Sequence, residues 1–176
     1  MENEFLKALG TDEPNANTDL SLYEKFIGVW SFHLTSYDEN GKIEDCKEGE
    51  WLFSYIIDGY GIQDVFISPK RGTWTEEDTL YGDYGTTIRV PVRDNPKKWH
   101  ITYISKWGVD RLIAEEVAGD IIQTGINKDM DDTTIWQWNF RNITEKSFVW
   151  ESVYSKDNGQ NWKLVTKVEA TRNESN

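Results

Sequence analysis

Cysteine, histidine, positive charge and long apolar runs are all scarce in this chain, and each shortage closes off a class of function. One cysteine, Cys46, stands among 176 residues, so an intrachain disulfide and a cysteine-built zinc site are both excluded. A single thiol agrees with a reducing compartment. Its neighbours Glu44, Asp45 and Glu48 disfavour the thiolate, and no G-x-S-x-G elbow is present, so nucleophilic catalysis finds no obvious carrier. No apolar run approaches about 18 residues and no basic-then-apolar leader opens the chain. Neither a membrane span nor a secretory signal is therefore expected, and the expected location is the cytoplasm. Nineteen Lys and Arg face 31 Asp and Glu, for a formal net charge of −12. Such an acidic surface repels phosphate backbones and anionic bilayers, so neither nucleic acid nor a membrane is an expected partner. Only two histidines occur, and no H-E-x-x-H, His-x-His or spaced carboxylate cluster accompanies them, so no metal is expected.

What the chain does have is aromatic residues: nine Trp, eight Tyr and seven Phe, 14% of the whole. Such rings suit pleated surfaces and supply much apolar area for few residues. The length is that of one domain, able to bury roughly 70% of its extended-chain surface. Residues 1–18 read as an N-terminal extension, with one or two helical turns stopped by Gly10 and then a polar connector. Residues 19–176 read as a single domain. Ser21 with Glu24 three residues on has the capping-box spacing, which predicts a short helix leading into the first strand.

From Phe26 onward the pattern has period two. Ten strand-like runs are expected, at about 26–37, up to 58, 62–67, 84–93, 99–107, 111–117, 121–127, 133–142, 147–155 and 162–171. Asn40-Gly41 predicts a type I′ hairpin turn, and Asp94 to Lys97 and Lys128 to Asp132 are further expected turns. Pro69 to Thr79 reads as a longer polar connection carrying Trp74. Short connections favour an antiparallel meander, and ten successive strands leave two bare edges unless the sheet closes. The fold class expected is all-β, an antiparallel up-and-down barrel of about ten strands with a short N-terminal helix. A two-sheet sandwich is the alternative.

Gly28-Val29-Trp30 at the mouth of the first strand and Arg172 near the end of the last resemble the signature of the calycin barrels, the lipocalin and fatty-acid-binding group. The resemblance implies that Arg172 packs across Trp30 and seals one end of a cup. Gly49-Glu50-Trp51, Ile62-Gln63-Asp64-Val65, Tyr84 to Arg89 and the tail from Ser147 through Trp162 to Arg172 are similar to bacterial calycin-like proteins of the DUF1579 type. That likeness implies the fold and carries no catalytic residue. The absence of disulfides and leader departs from true lipocalins and speaks against an extracellular carrier.

Alternation sorts the polar candidates. Gln63 and Asp64 point to opposite faces, so at most one looks inward; Arg89 on the next strand is a cross-strand partner for Asp64, as a buried pair or an outer ion pair. Glu151 opposes Trp150, and Glu115 and Glu116 are read as surface carboxylates. His33 and His100 fall on outward faces, which argues against an axial haem ligand. Gly82-Asp83-Tyr84-Gly85 lacks the Lys and helix of a phosphate loop. The better candidates are aromatic. Trp136 and Trp138 share a face, as do Trp150 and Tyr154, with Tyr55, Tyr103 and Trp107 from other strands. Together they make a ligand-binding set, with Gln63, Asp64 or Arg89 as polar anchors, unless the rings simply fill the core. The expected function is an intracellular barrel binding a small apolar or aromatic molecule, with no cofactor. The alternative is a cyclase- or isomerase-type enzyme using Asp64, Glu151 or a tyrosine, and outward rings admit a homodimer.

Overall fold

A computed structural model describes residues 3–126 and 134–174. After helix α1 (Glu4–Leu9) and the two-residue strand β1 (Gly10–Thr11), ten longer strands follow: β2 (Gly28–Tyr37), β3 (Ile43–Ile56), β4 (Gly61–Ser68), β5 (Asp83–Val92), β6 (Asn95–Ser105), β7 (Gly108–Val117), β8 (Asp120–Gly125), β9 (Ile135–Arg141), β10 (Ser147–Ser155) and β11 (Lys163–Arg172). Each of the ten pairs antiparallel with its neighbours in sequence. The ring closes where β11 meets β2, from Arg172 opposite Trp30 to Thr166 opposite Ser36. One closed ten-stranded barrel results, not a sandwich. Closure removes both sheet edges, which a ten-strand meander would otherwise leave bare. Among the described residues, no helix is long and apolar enough to cross a membrane.

β1 lies alongside the lower end of β3, with Gly10 opposite Ile56 and Thr11 opposite Tyr55. The Asn15 N–H then donates to Gly59 O, so the N-terminal segment is tied to the turn between β3 and β4. From there the chain crosses the base of the barrel. Leu20, Leu22, Tyr23 and Phe26 are all buried. Phe26 packs on Phe53, Phe140 and Phe148 at ring-centre distances of 5.6, 4.7 and 5.0 Å. The helix expected from the Ser21–Glu24 spacing is replaced by turns and a single 3-10 turn, Glu24–Phe26, without a side-chain cap. The segment seals the barrel by laying successive side chains into it. Arg172 lies 4.1 Å above the Trp30 ring and donates to Ile27 O and Lys25 O at 2.6 Å each.

Several local expectations are corrected. The turn after β2 closes Asp38 to Gly41, and only Gly41 has positive φ, so it is not type I′. The Asp38 carboxylate accepts from the N–H groups of Asn40 and Lys42, which holds the tighter alternative. β3 stops at Ile56, because Ile57 and Asp58 take φ of 57° and 52°. β6 begins at Asn95 rather than Trp99; its ladder skips from Val92–Asn95 to Pro91–Trp99, passing over Pro96, which has no N–H to give. It ends at Ser105, leaving Trp107 in the turn. The polar connection after β4 contains helix α2 (Glu76–Tyr81), with a full capping box between Thr75 and Asp78. The expected 128–132 turn, with residues 127 and 133, lies outside the described residues.

A tryptophan-lined cup as candidate functional site

The lower half of the barrel is solid. Tyr23, Phe26, Trp30, Phe53, Trp99, Phe140 and Phe148 pack ring on ring there, each at most 4% exposed. Above them the lining becomes looser and more polar. Strand β5 alternates Asp83, Gly85, Thr87 and Arg89 toward the lumen, and the packing of each decides what the cup can do.

Arg89 forms the floor. It is 2% exposed and contacts the carboxylate of Asp64, itself fully buried. The two sit diagonally, because Asp64 is opposite Thr87 in the ladder, and the Thr87 hydroxyl donates to Asp64 Oδ1 at 3.1 Å. The guanidinium also faces the rings of Tyr23, Phe53 and Phe140 at 5.1, 5.5 and 5.9 Å. Burial lowers its pKa to about 10, so it stays charged at neutral pH. Tyr23, its phenol pushed up by burial, donates to Gln123 Oε1 at 3.0 Å.

Tyr103 and Asp83 stand at the rim. The Tyr103 hydroxyl donates to Asp83 Oδ1 at 2.7 Å. Burial raises the pKa of both, and raises that of Asp110, opposite Tyr103 on β7, as well. Gly85 makes this possible. A Cβ there would lie 2.2 Å from the Tyr103 hydroxyl oxygen and within 2.5 Å of its ring. Gly125 similarly clears the indole of Trp136. Gly85→Ala is expected to cost about 1–3 kcal/mol by overpacking. It is also expected to remove the Tyr103–Asp83 bond, read as a shift in the near-ultraviolet tyrosine signal together with a lowered urea midpoint.

Between floor and rim lies a cavity of about 80 Å³ lined by Trp51, Phe66, Asp83, Thr87, Arg89, Tyr103, Trp138 and Trp150. Its tryptophans meet at angles: Trp138 and Trp150 at 5.8 Å, Trp51 and Trp150 at 6.1 Å, with Tyr103 edge-on to Trp138 at 5.5 Å. Asp83, Tyr103, Trp138 and Trp150 are only half-buried, so the space opens upward. Trp136 continues the wall, 5.2 Å from Trp138.

Thus Arg89, Tyr103, Trp138 and Trp150 come together around one cavity, with Asp64 beneath and Trp136 beside it. The other residues singled out from the sequence lie elsewhere. Gln63 is on the opposite face of β4 from Asp64 and donates to Thr86 Oγ1. Tyr55 sits low on β3, opposite Ile62 and beside β1. Trp107 is 61% exposed in a turn, with Lys106 Nζ 4.9 Å above its ring. Tyr154 lines a groove of about 520 Å³ with Tyr37 to Gly41 and Lys163 to Val165. That groove is larger than the cup, but it is open surface, lined by the Asp38 to Gly41 turn and Lys163 as well as by Tyr37, Leu164 and Val165. Glu151 is held outside by Arg141, which also reaches Asp120. His33 and His100 are exposed. No group of three or more metal-ligating side chains occurs among the described residues.

Asp83, Trp51, Phe66 and Thr87 are the lining residues that sequence reasoning missed as site residues. Alternation backward from Arg89 leads to Asp83; starting the strand at Tyr84 cut it off.

By sequence, no family model and no curated protein matches the chain. By structure, it is similar to an S-type phycobiliprotein lyase, CPES, from Guillardia theta. The TM-score is 0.58 over 89% of this chain and 93% of that one, at 13% identity. The likeness is one of fold.

Proposed function

We propose that this barrel binds a small planar, apolar or aromatic molecule in the tryptophan-lined cup. The observation that carries the reading is the lining itself: half-buried tryptophans around a space whose floor is a buried arginine and whose rim is a carboxylate. Apolar walls with a few convergent polar groups are the usual make-up of a small-molecule site. A core serving stability alone gains nothing from leaving that space or from keeping Arg89 and Asp64 ionic. At about 80 Å³ the cavity takes only the leading edge of a ligand, the remainder stacking on Trp136 and Trp138 at the mouth.

A second reading, a cyclase- or isomerase-type enzyme, is favoured by the Tyr103–Asp83 contact. A carboxyl of raised pKa in an apolar cavity is a serviceable proton acceptor and donor. The fold neighbour being a lyase keeps that reading open.

Native mass spectrometry of the protein purified from its own host is expected to show an added mass, released on denaturation. Trp138→Ala is expected to weaken rebinding of the released molecule about tenfold. Protein that carries no adduct, and whose tryptophan fluorescence ignores a panel of planar aromatics, would end the proposal.

A further inference from the structure

Of the sixteen large apolar side chains that stand exposed among the described residues, six crowd one side of the barrel's upper end. They are Leu80, Tyr81, Tyr84, Ile104, Trp107 and Val109, exposed by 43% to 63%. Bonds and ladder registers fix them as neighbours. Ile104 lies opposite Val109 on β7, and Thr86, two residues beyond Tyr84 on β5, lies opposite Ile104. Lys106 Nζ donates to Thr79 O at 3.0 Å, which holds the β6–β7 turn with Trp107 against helix α2 with Leu80 and Tyr81. The same ammonium is 6.0 Å from the Trp74 ring, and that ring meets Tyr84 at 6.3 Å. Helix α2 itself buries no residue. Single exposed apolar side chains are ordinary, but a patch across three strands, a turn and a helix marks a surface that another molecule covers.

The margin of the patch decides what covers it. Glu76 and Glu77 precede Leu80 and Tyr81 by four residues each, so each carboxylate stands beside an apolar side chain on one face of α2. The third acid of that helix, Asp78, is bound to Thr75, and the last turn carries no base. Lys106, the ammonium inside the patch, is engaged by Thr79 O and the faces of Trp74 and Trp107. A second copy of this chain, docked about a two-fold axis, sets the same margin against itself, acid facing acid. A bilayer draws Glu76 and Glu77 out of water along with Leu80 and Tyr81, and an anionic bilayer repels them as well. A protein surface with an apolar centre and a basic border meets both parts of the patch.

We propose that this face, outside the cup, docks a protein partner through an apolar stripe bordered by lysines or arginines.

The test is fluorescence anisotropy of a dye-labelled amphipathic helical peptide, a leucine stripe bordered by lysines, titrated with the intact chain. Two companion peptides carry glutamates in place of the lysines, or serines in place of the leucines. The leucine–lysine peptide is expected to bind at least about tenfold tighter than either companion. Trp107→Ser combined with Leu80→Ser is expected to weaken it at least about tenfold, with the urea midpoint unchanged because both side chains are exposed. Phe5→Ser with Leu6→Ser, an exposed pair at the opposite end of the barrel, is expected to leave binding as it is. Glu76→Gln with Glu77→Gln is expected to weaken binding about threefold in dilute buffer, a difference that vanishes in ~1 M salt. The comparison among peptides on the unaltered protein does not depend on any variant folding. A serine peptide that binds as tightly as the leucine one, or wild-type affinity in the Leu80 and Trp107 variant, overturns the proposal. A glutamate peptide that binds as tightly as the lysine one does so too. So does a dimer of the chain that the Leu80 and Trp107 substitutions dissociate, or co-sedimentation with phosphatidylcholine vesicles.

Discussion

Asp64→Asn is expected to cost about 3–5 kcal/mol of folding stability, read from urea unfolding followed by tryptophan fluorescence. Arg89 is 2% exposed and remains charged, so losing the carboxylate leaves a buried cation with only ring faces and a neutral amide for company. Arg89→Met is expected to be comparably damaging at neutral pH, but with a different pH dependence. A buried carboxyl deprived of its cation takes a proton instead, and then lacks the charge that made burial costly. In folded Arg89→Met the Asp64 pKa therefore lies above its unfolded value. Stability is retained below the unfolded value, roughly 3.9, and is lost as pH rises through the folded one. Asp64→Asn has no such remedy, because an arginine does not give up its proton in that range. Acid should therefore relieve one variant and not the other. Replacing both residues by methionine and leucine is expected to recover most of the loss. If both single variants unfold at the wild-type urea concentration, the pair is not the ionic floor described above.

The second large effect concerns the other end of the barrel. Trp30→Ala is expected to cost about 3–5 kcal/mol, the range for emptying a fully buried large aromatic site. Trp30 is wholly buried, its Nε1–H donates to Phe26 O at 2.7 Å, and its ring meets Phe148 at 4.7 Å. The bond to Phe26 matters beyond its own strength. It holds the crossing segment against the first strand, while Arg172 clamps Lys25 O and Ile27 O from the last. Arg172→Met is expected to lose less, because that side chain is partly solvated and its acceptors can turn to water. Equal losses from the two variants would mean that the clamp, rather than the buried ring, holds the base.

Much of the barrel was legible in the chain because its cues are local. Trp30 and Phe32 alternate with His33, and Trp99, Ile101 and Tyr103 with His100, in the order the lumen requires. Ala118-Gly119 marks a two-residue reversal and Asn158-Gly159 the centre of a turn within a longer loop, each pair with positive φ. The Asn40-Gly41 turn misled because the reversal closes from Asp38 to Gly41, which puts Glu39 and Asn40 rather than Asn40 and Gly41 at its centre. The Ser21–Glu24 spacing misled for a different reason: Leu20, Leu22, Tyr23 and Phe26 had a barrel to fill, and tertiary burial outweighs a helix-start signal worth about 1 kcal/mol. In the cup, Asp64 and Arg89 are adjacent in consecutive strands, so their pairing was within reach of the sequence. The inward side of Asp83 was within reach too, by alternation from Arg89; its bond to Tyr103 was not, because that depends on Tyr103 reaching across Gly85 from the neighbouring strand.

Period-two patterning and short turns, read without coordinates, determined a meander of ten strands and, on strands such as β2 where large rings mark one face, which side looks inward; on β4 the choice between Gln63 and Asp64 stayed open. These depend on residues a few positions apart, where the chemistry of alternation and reversal is decided. Only the tertiary structure decided which inward residues share a level, that the lower half is packed and the upper half open, and that Trp51, Asp83, Trp138 and Trp150 look into one space. Those outcomes depend on ten ladder registers at once, and a shift of one residue in any of them turns that strand's lining outward.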